Sequence, residues 1–159
     1  MRKLLMAALT AAALAPAPAA AGDWYLHSGN SPCYVPDECS LMTAGLIDSG
    51  EYLIAYSRPR RGLERIGIGP AKPLVVGKII GDWFYGTAER YTRVGNLLCS
   101  IKYAVSGKFV PSGTFVLYGP APIFARYGCA AVGLDPTGSQ SWLRFNFIGS
   151  GQPPAGVSF

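Results

Sequence analysis

No stretch of this chain carries apolar residues at helical spacing through three turns without meeting a glycine or a proline. An amphipathic helix needs that spacing to hold one face to a core, and Gly or Pro inside it is costly. A different unit recurs: a short run of β-branched and aromatic residues, then a turn. The runs are "YLIAYS" (52–57), "ERIGIG" (64–69), "PLVVGKII" (73–80), "WFYG" (83–86), "NLLCSIKYA" (96–104), "GTFVLYG" (113–119) and "SWLRFNFI" (141–148). The last alternates, with Leu143, Phe145 and Phe147 on one face and Trp142, Arg144 and Asn146 on the other. "DSGE", "RPRRG", "GPAKP", "PSG", "YGPAP" and "DPTGS" lie between runs and supply turn chemistry. Many short strands so punctuated predict an all-β fold, an antiparallel β-sandwich or a small barrel.

Residues 1–21 stand apart from this pattern. Arg2 and Lys3 precede the apolar "LLMAALTAAALA", which is too short to span a bilayer. "PAPAAA" then places small residues for cleavage after Ala21. The segment reads as a secretory signal peptide. The expected mature chain is a single all-β domain over 22–159, periplasmic or secreted. Without Arg2 and Lys3 its formal charge falls from +5 to +3. That modest excess names no partner.

All four cysteines, Cys33, Cys39, Cys99 and Cys129, fall after the leader. An even count in an exported chain predicts two disulfides. Three pairings exist, and Cys33–Cys39 is favoured because "CYVPDEC" is a short Pro-containing loop that folds back on itself. Cys99–Cys129 then closes a longer loop, worth roughly 3 kcal/mol. Zinc is not expected, because the spacing is Cx5C and His27 is the lone histidine.

Two stretches open alike: "GDWYLHSGNSPCYVPDECS" (22–40) and "GDWFYGTAERYTRVGNLLCS" (81–100). Each later shows Ser-Gly, an apolar strand ending in Tyr, and a Pro turn. One reading is duplication, with two β-meander halves over 22–80 and 81–150. The other is chance recurrence of turn and aromatic residues. Cys33 and Cys129 have no counterpart, which counts against duplication.

Catalytic patterns are missing. There is no GxSxG, HExxH or phosphate loop. His27 reads as a surface or strand-edge residue rather than a base. Asp23 and Asp82, each before a Trp, are the pair that a carboxylate-dependent glycan hydrolase would use; turn-capping is the stronger reading. The densest charge cluster is "RPRRGLER" (58–65). Its Arg58, Arg60, Arg61 and Arg65 would form a hairpin tip that either binds an anion or solubilises a turn. Exposed aromatics would make a sugar-stacking platform, but burial in the core is the better expectation. Phe159 ends the chain as in outer-membrane barrels, yet "QPP" (152–154) interrupts that strand. An integral membrane protein is therefore not expected, nor is a nucleic-acid binder.

"VPSGTFVLYGPAPIFARYGCAAVGLD" (110–135) resembles the second half of the invasion-associated locus B family, and "GDWYLHSGNSPC" resembles its start, a Trp strand followed by Cys. The middle of the chain, 41–109, does not follow that pattern, and the family's further Cys before Gly-Cys-Ala is missing here. The resemblance implies an exported, non-catalytic all-β protein, associated in some pathogens with host-cell entry. Together with the residues it points to a non-enzymatic binding module without cofactor, facing an unknown envelope or host partner, anionic if the arginines make the contact. The alternatives are a carboxylate-dependent glycan hydrolase and an enzyme inhibitor using the basic tip.

Overall fold

The structure, a computed structural model, describes residues 22–33 and 38–151. Residues 1–21, on which the signal-peptide expectation falls, the centre of the Cys33–Cys39 loop and residues 152–159 lie outside these. Eight strands close into an antiparallel barrel. They are β1 (Gly22–His27), β2 (Ser40–Leu46), β3 (Tyr52–Arg58), β4 (Pro73–Ile80), β5 (Trp83–Val94), β6 (Leu97–Lys108), β7 (Thr114–Tyr118) and β10 (Trp142–Gly151). The order around the wall is β1-β10-β7-β6-β5-β4-β3-β2. A single helical turn, α1 (Arg61–Glu64), joins β3 to β4, and a separate ribbon of β8 (Ala121–Phe124) and β9 (Ala131–Asp135) lies between β7 and β10. Of the two architectures expected, the barrel is the one that forms. Closure removes the free sheet edges that a sandwich keeps.

The strand pattern follows from alternation. Along β10, Leu143 and Phe145 are fully buried and Phe147 packs against the core, while Trp142 faces solvent. The interior is filled by rings and branched side chains, among them Tyr25, Ile54, Phe84, Phe115, Leu117 and Phe145. Tyr25, Phe115 and Phe145 form a mutual cluster, with centroids 5.0–6.4 Å apart. An eight-stranded barrel is just wide enough for side chains to fill its lumen, and here these side chains form the core. Backbones approach closely where Gly77 of β4 faces Gly86 of β5. A Cβ on Gly86 would lie 2.2 Å from the Val76 carbonyl oxygen and 2.8 Å from the Phe84 ring. Phe84 thus occupies the space that two side chains would need.

Three expectations are corrected. "ERIGIG" is not a strand: α1 and the turn after it bury Ile68 and lay Leu63 and Ile66 on the core as a plug at one barrel end. Gly67, at φ +96°, turns the chain so that both flanking isoleucines point inward. The tryptophans are not core residues either; the residue after each is. Tyr25, Phe84 and Leu143 are wholly buried, whereas Trp24 is half-buried and Trp83 and Trp142 are 45% and 41% exposed. Third, His27 is buried.

The two "GDW" openings start β1 and β5, on opposite walls of the barrel. Their cysteines do not match. Cys39 lies in the loop just before β2, whereas Cys99 sits within β6 opposite Thr92. The likeness holds at the strand starts and is lost at the disulfides.

Candidate functional site

Short connections gather at one barrel end: the turns after β2, β4 and β6. The other end carries the long ones: the disulfide loop after β1, the α1 segment, and the β8–β9 ribbon. Rigid strands with long loops at one rim are where binding residues usually sit.

Both expected disulfides clamp this rim. Cys33 bonds Cys39, with Cα atoms 5.8 Å apart, and Cys99 bonds Cys129, at 5.1 Å. The second ties the ribbon to the β5–β6 hairpin. Arg90 of β5 adds to that tie: its Nη1 donates to the Pro122 carbonyl at 2.5 Å, and its guanidinium lies 5.8 Å from the centre of the Phe124 ring. Asp135 closes the ribbon's return. Its carboxylate accepts from the backbone N–H of Thr137 and of Gly138, both at 2.9 Å, and the Thr137 bond is the main reason its pKa lies below the usual carboxylate value.

The arginine cluster lies in the connection between the antiparallel neighbours β3 and β4, and a helical turn stands there in place of a tight tip. Arg60 and Arg61 line a groove of about 400 Å3 between α1 and the disulfide loop, together with Ser28, Ser31, Glu38 and Cys39. The groove wall is anchored where the Arg60 backbone N–H donates to Ser40 Oγ at 3.0 Å. Arg58 is half-buried at the end of β3 and Arg65 is exposed beyond α1; neither lines the groove.

A second, small cavity of about 20 Å3 shares Ser28 and Arg60 with the groove and is lined by His27, Ser40, Tyr56, Leu63 and Gln140, with room for about one water. His27 Nδ1–H donates to the Arg144 carbonyl at 2.9 Å, and Nε2 accepts the Gly29 N–H at 3.4 Å. The ring stacks on Phe145, with centroids 4.9 Å apart. Gly29, at φ +75°, makes this possible: a Cβ there would meet the Ser139 carbonyl oxygen at 2.8 Å. Burial lowers the His27 pKa to about 4, outweighing the Arg144 carbonyl. The imidazole is therefore neutral at pH 7 with both nitrogens engaged. Burial likewise pushes the Tyr56 phenol up and that of Tyr103 to about 12, so both keep their protons.

The two candidate carboxylates are not brought together. Asp23, at the opposite end of the barrel, accepts from Ser150 Oγ at 2.6 Å and Tyr52 Oη at 3.4 Å. Asp82 lies in the β4–β5 turn, with an ion pair to Lys108 at 3.4 Å. Among the described residues no group of three or more His, Cys, Asp or Glu is placed to hold a metal ion. The chain matches no protein-family model, no curated protein and no solved structure.

Proposed function

We propose that this chain is an exported, non-enzymatic binding protein of the bacterial envelope or exterior, which engages an anionic group through the Arg60–Arg61 groove. The observation that carries the reading is that groove: two arginines, against the one carboxylate of Glu38, beside a disulfide-clamped loop, on a barrel whose interior is packed with rings and branched side chains. Guanidinium forks suit carboxylates and phosphates. The leader and the two disulfides support export to an oxidising compartment. An all-β, exported, non-catalytic protein is also what the resemblance to the invasion-associated locus B family implies, and host contact is part of the proposal on that ground. The wall supports a water-facing rather than a lipid-facing barrel. Arg93, Lys102 and Lys108 are exposed along β5 and β6, and the lumen is packed with apolar side chains, whereas a transmembrane barrel keeps charge off its outer band and has a polar interior.

The test is retention of envelope components by the immobilised, oxidised protein and by an Arg60→Ala/Arg61→Ala variant. The reading expects a component held by the first and released by the second, with the melting temperature unchanged. Equal retention by both would remove the groove from the account.

A further inference from the structure

The outer wall of the barrel carries a second feature. The ladder registers set Lys78 opposite Tyr85, Tyr85 opposite Ser106, Ser106 opposite Tyr118, and Tyr118 opposite Trp142. These residues form one continuous rung across β4, β5, β6, β7 and β10, and it faces out. Tyr85 is 50% exposed, Tyr118 38% and Trp142 41%. Trp83 and Ile80, opposite one another on the next outward rung, are also exposed. The rings pair on either side of β6: Trp83 with Tyr85 at 6.4 Å, nearly parallel, and Tyr118 with Trp142 at 4.5 Å. Between the pairs the outward residues of β6 are Ser106, which is small, and Lys108 opposite Trp83, whose ammonium is held by Asp82 at 3.4 Å. The result is a shallow channel along β6 with an aromatic bank on each side. At about 4.8 Å per strand the banks stand roughly 10 Å apart, a span that two pyranose rings cover.

From this arrangement we infer that the wall binds a neutral glycan chain, whose C–H faces stack on the four rings and whose hydroxyls meet Ser106 and the tyrosine hydroxyls. Charge separates this occupant from the anion of the rim. Lys108 is paired with Asp82, and Lys102 stands opposite Glu89; Lys78 at the rung's end and Arg144, on the face of β10 that carries Trp142, leave two positive charges. Two charges on a face of five strands have little to offer a polyanion. A protein partner would need a pocket for its anchoring side chains, and this face is the convex side of a barrel. The Arg60–Arg61 groove lies at one end, and a cleft lined by Asp23, Thr43, Leu46 and Leu53 at the other.

The test is titration of the oxidised full-length mature protein with cellohexaose, maltohexaose and oligogalacturonate, read by tryptophan fluorescence and calorimetry. Analytical ultracentrifugation is run alongside. The expected result is binding of a neutral hexaose, weakened about tenfold by Trp83→Ala or Trp142→Ala and within threefold of wild type in Trp142→Phe. The rim variant Arg60→Ala/Arg61→Ala should bind it as wild type does, which separates this site from the rim. Binding of oligogalacturonate alone would overturn the inference. So would no binding of any probe at millimolar concentration, or self-association that disappears in Trp142→Ala.

Discussion

His27 is a polar side chain spent on structure. Its neutral ring closes the space between β1 and Phe145, and a charged ring there would lose hydration without gaining a counter-charge; Arg60 nearby makes matters worse. With the pKa near 6.5 in the unfolded chain and about 4 in the fold, the unfolded state binds more protons between those values. Stability should therefore be complete above pH 6.5 and fall as pH drops toward 4, by up to about 3 kcal/mol. Urea unfolding at pH 7.5 and 4.5 measures this. A His27→Gln variant should start less stable and lose less between the two pH values. The sequence did not show this burial. A lone histidine in a short strand has no face until the register with its neighbours is known, and its partners, Gly29 and the Arg144 carbonyl, are main-chain groups that leave no side-chain signature. The alternation of Leu143, Phe145 and Phe147 was legible because apolar residues at period two declare their own face.

Among the elements, the runs at 52–57, 73–80 and 141–148 could be read because they are long, branched and bounded by turns. β2, β8 and β9 escaped that reading: "SLMTAGL" and "AVGLD" contain glycine, and β8 holds Pro122, which belongs at an edge. The opposite error arose at 64–69, where Ile66 and Ile68 mimic a strand but serve as a plug. Two element-level outcomes are expected. Gly86→Ala drives a methyl into the β4 backbone, so it should destabilise the barrel by about 2 kcal/mol or more, seen as a lowered urea midpoint. Cys99→Ser/Cys129→Ser should cost about 3 kcal/mol and speed amide exchange in β8 and β9 before the barrel strands. If the ribbon's exchange is unchanged, the Arg90 contacts hold it without the disulfide.

For the molecule as a whole, sandwich and barrel could not be told apart in sequence, because both require the same alternation and the same turns. What separates them is one long-range pairing, β1 with β10, joining residues more than a hundred positions apart. Alternation likewise could not show that Tyr85, Tyr118 and Trp142 share a rung, since that depends on registers set by three separate junctions. Both proposed binding surfaces depend on closure: the rim groove needs β1 and its loop held beside α1, and the aromatic wall needs β7 and β10 joined to β6. Cross-strand NOEs on the 15N-labelled, oxidised protein test this most directly. The account predicts contacts pairing Leu26 with Asn146, Leu26 with Leu41, and Ser106 with Tyr118 in one molecule. Contacts from β1 to β2 without any from β1 to β10 would mean an open sheet and would contradict it.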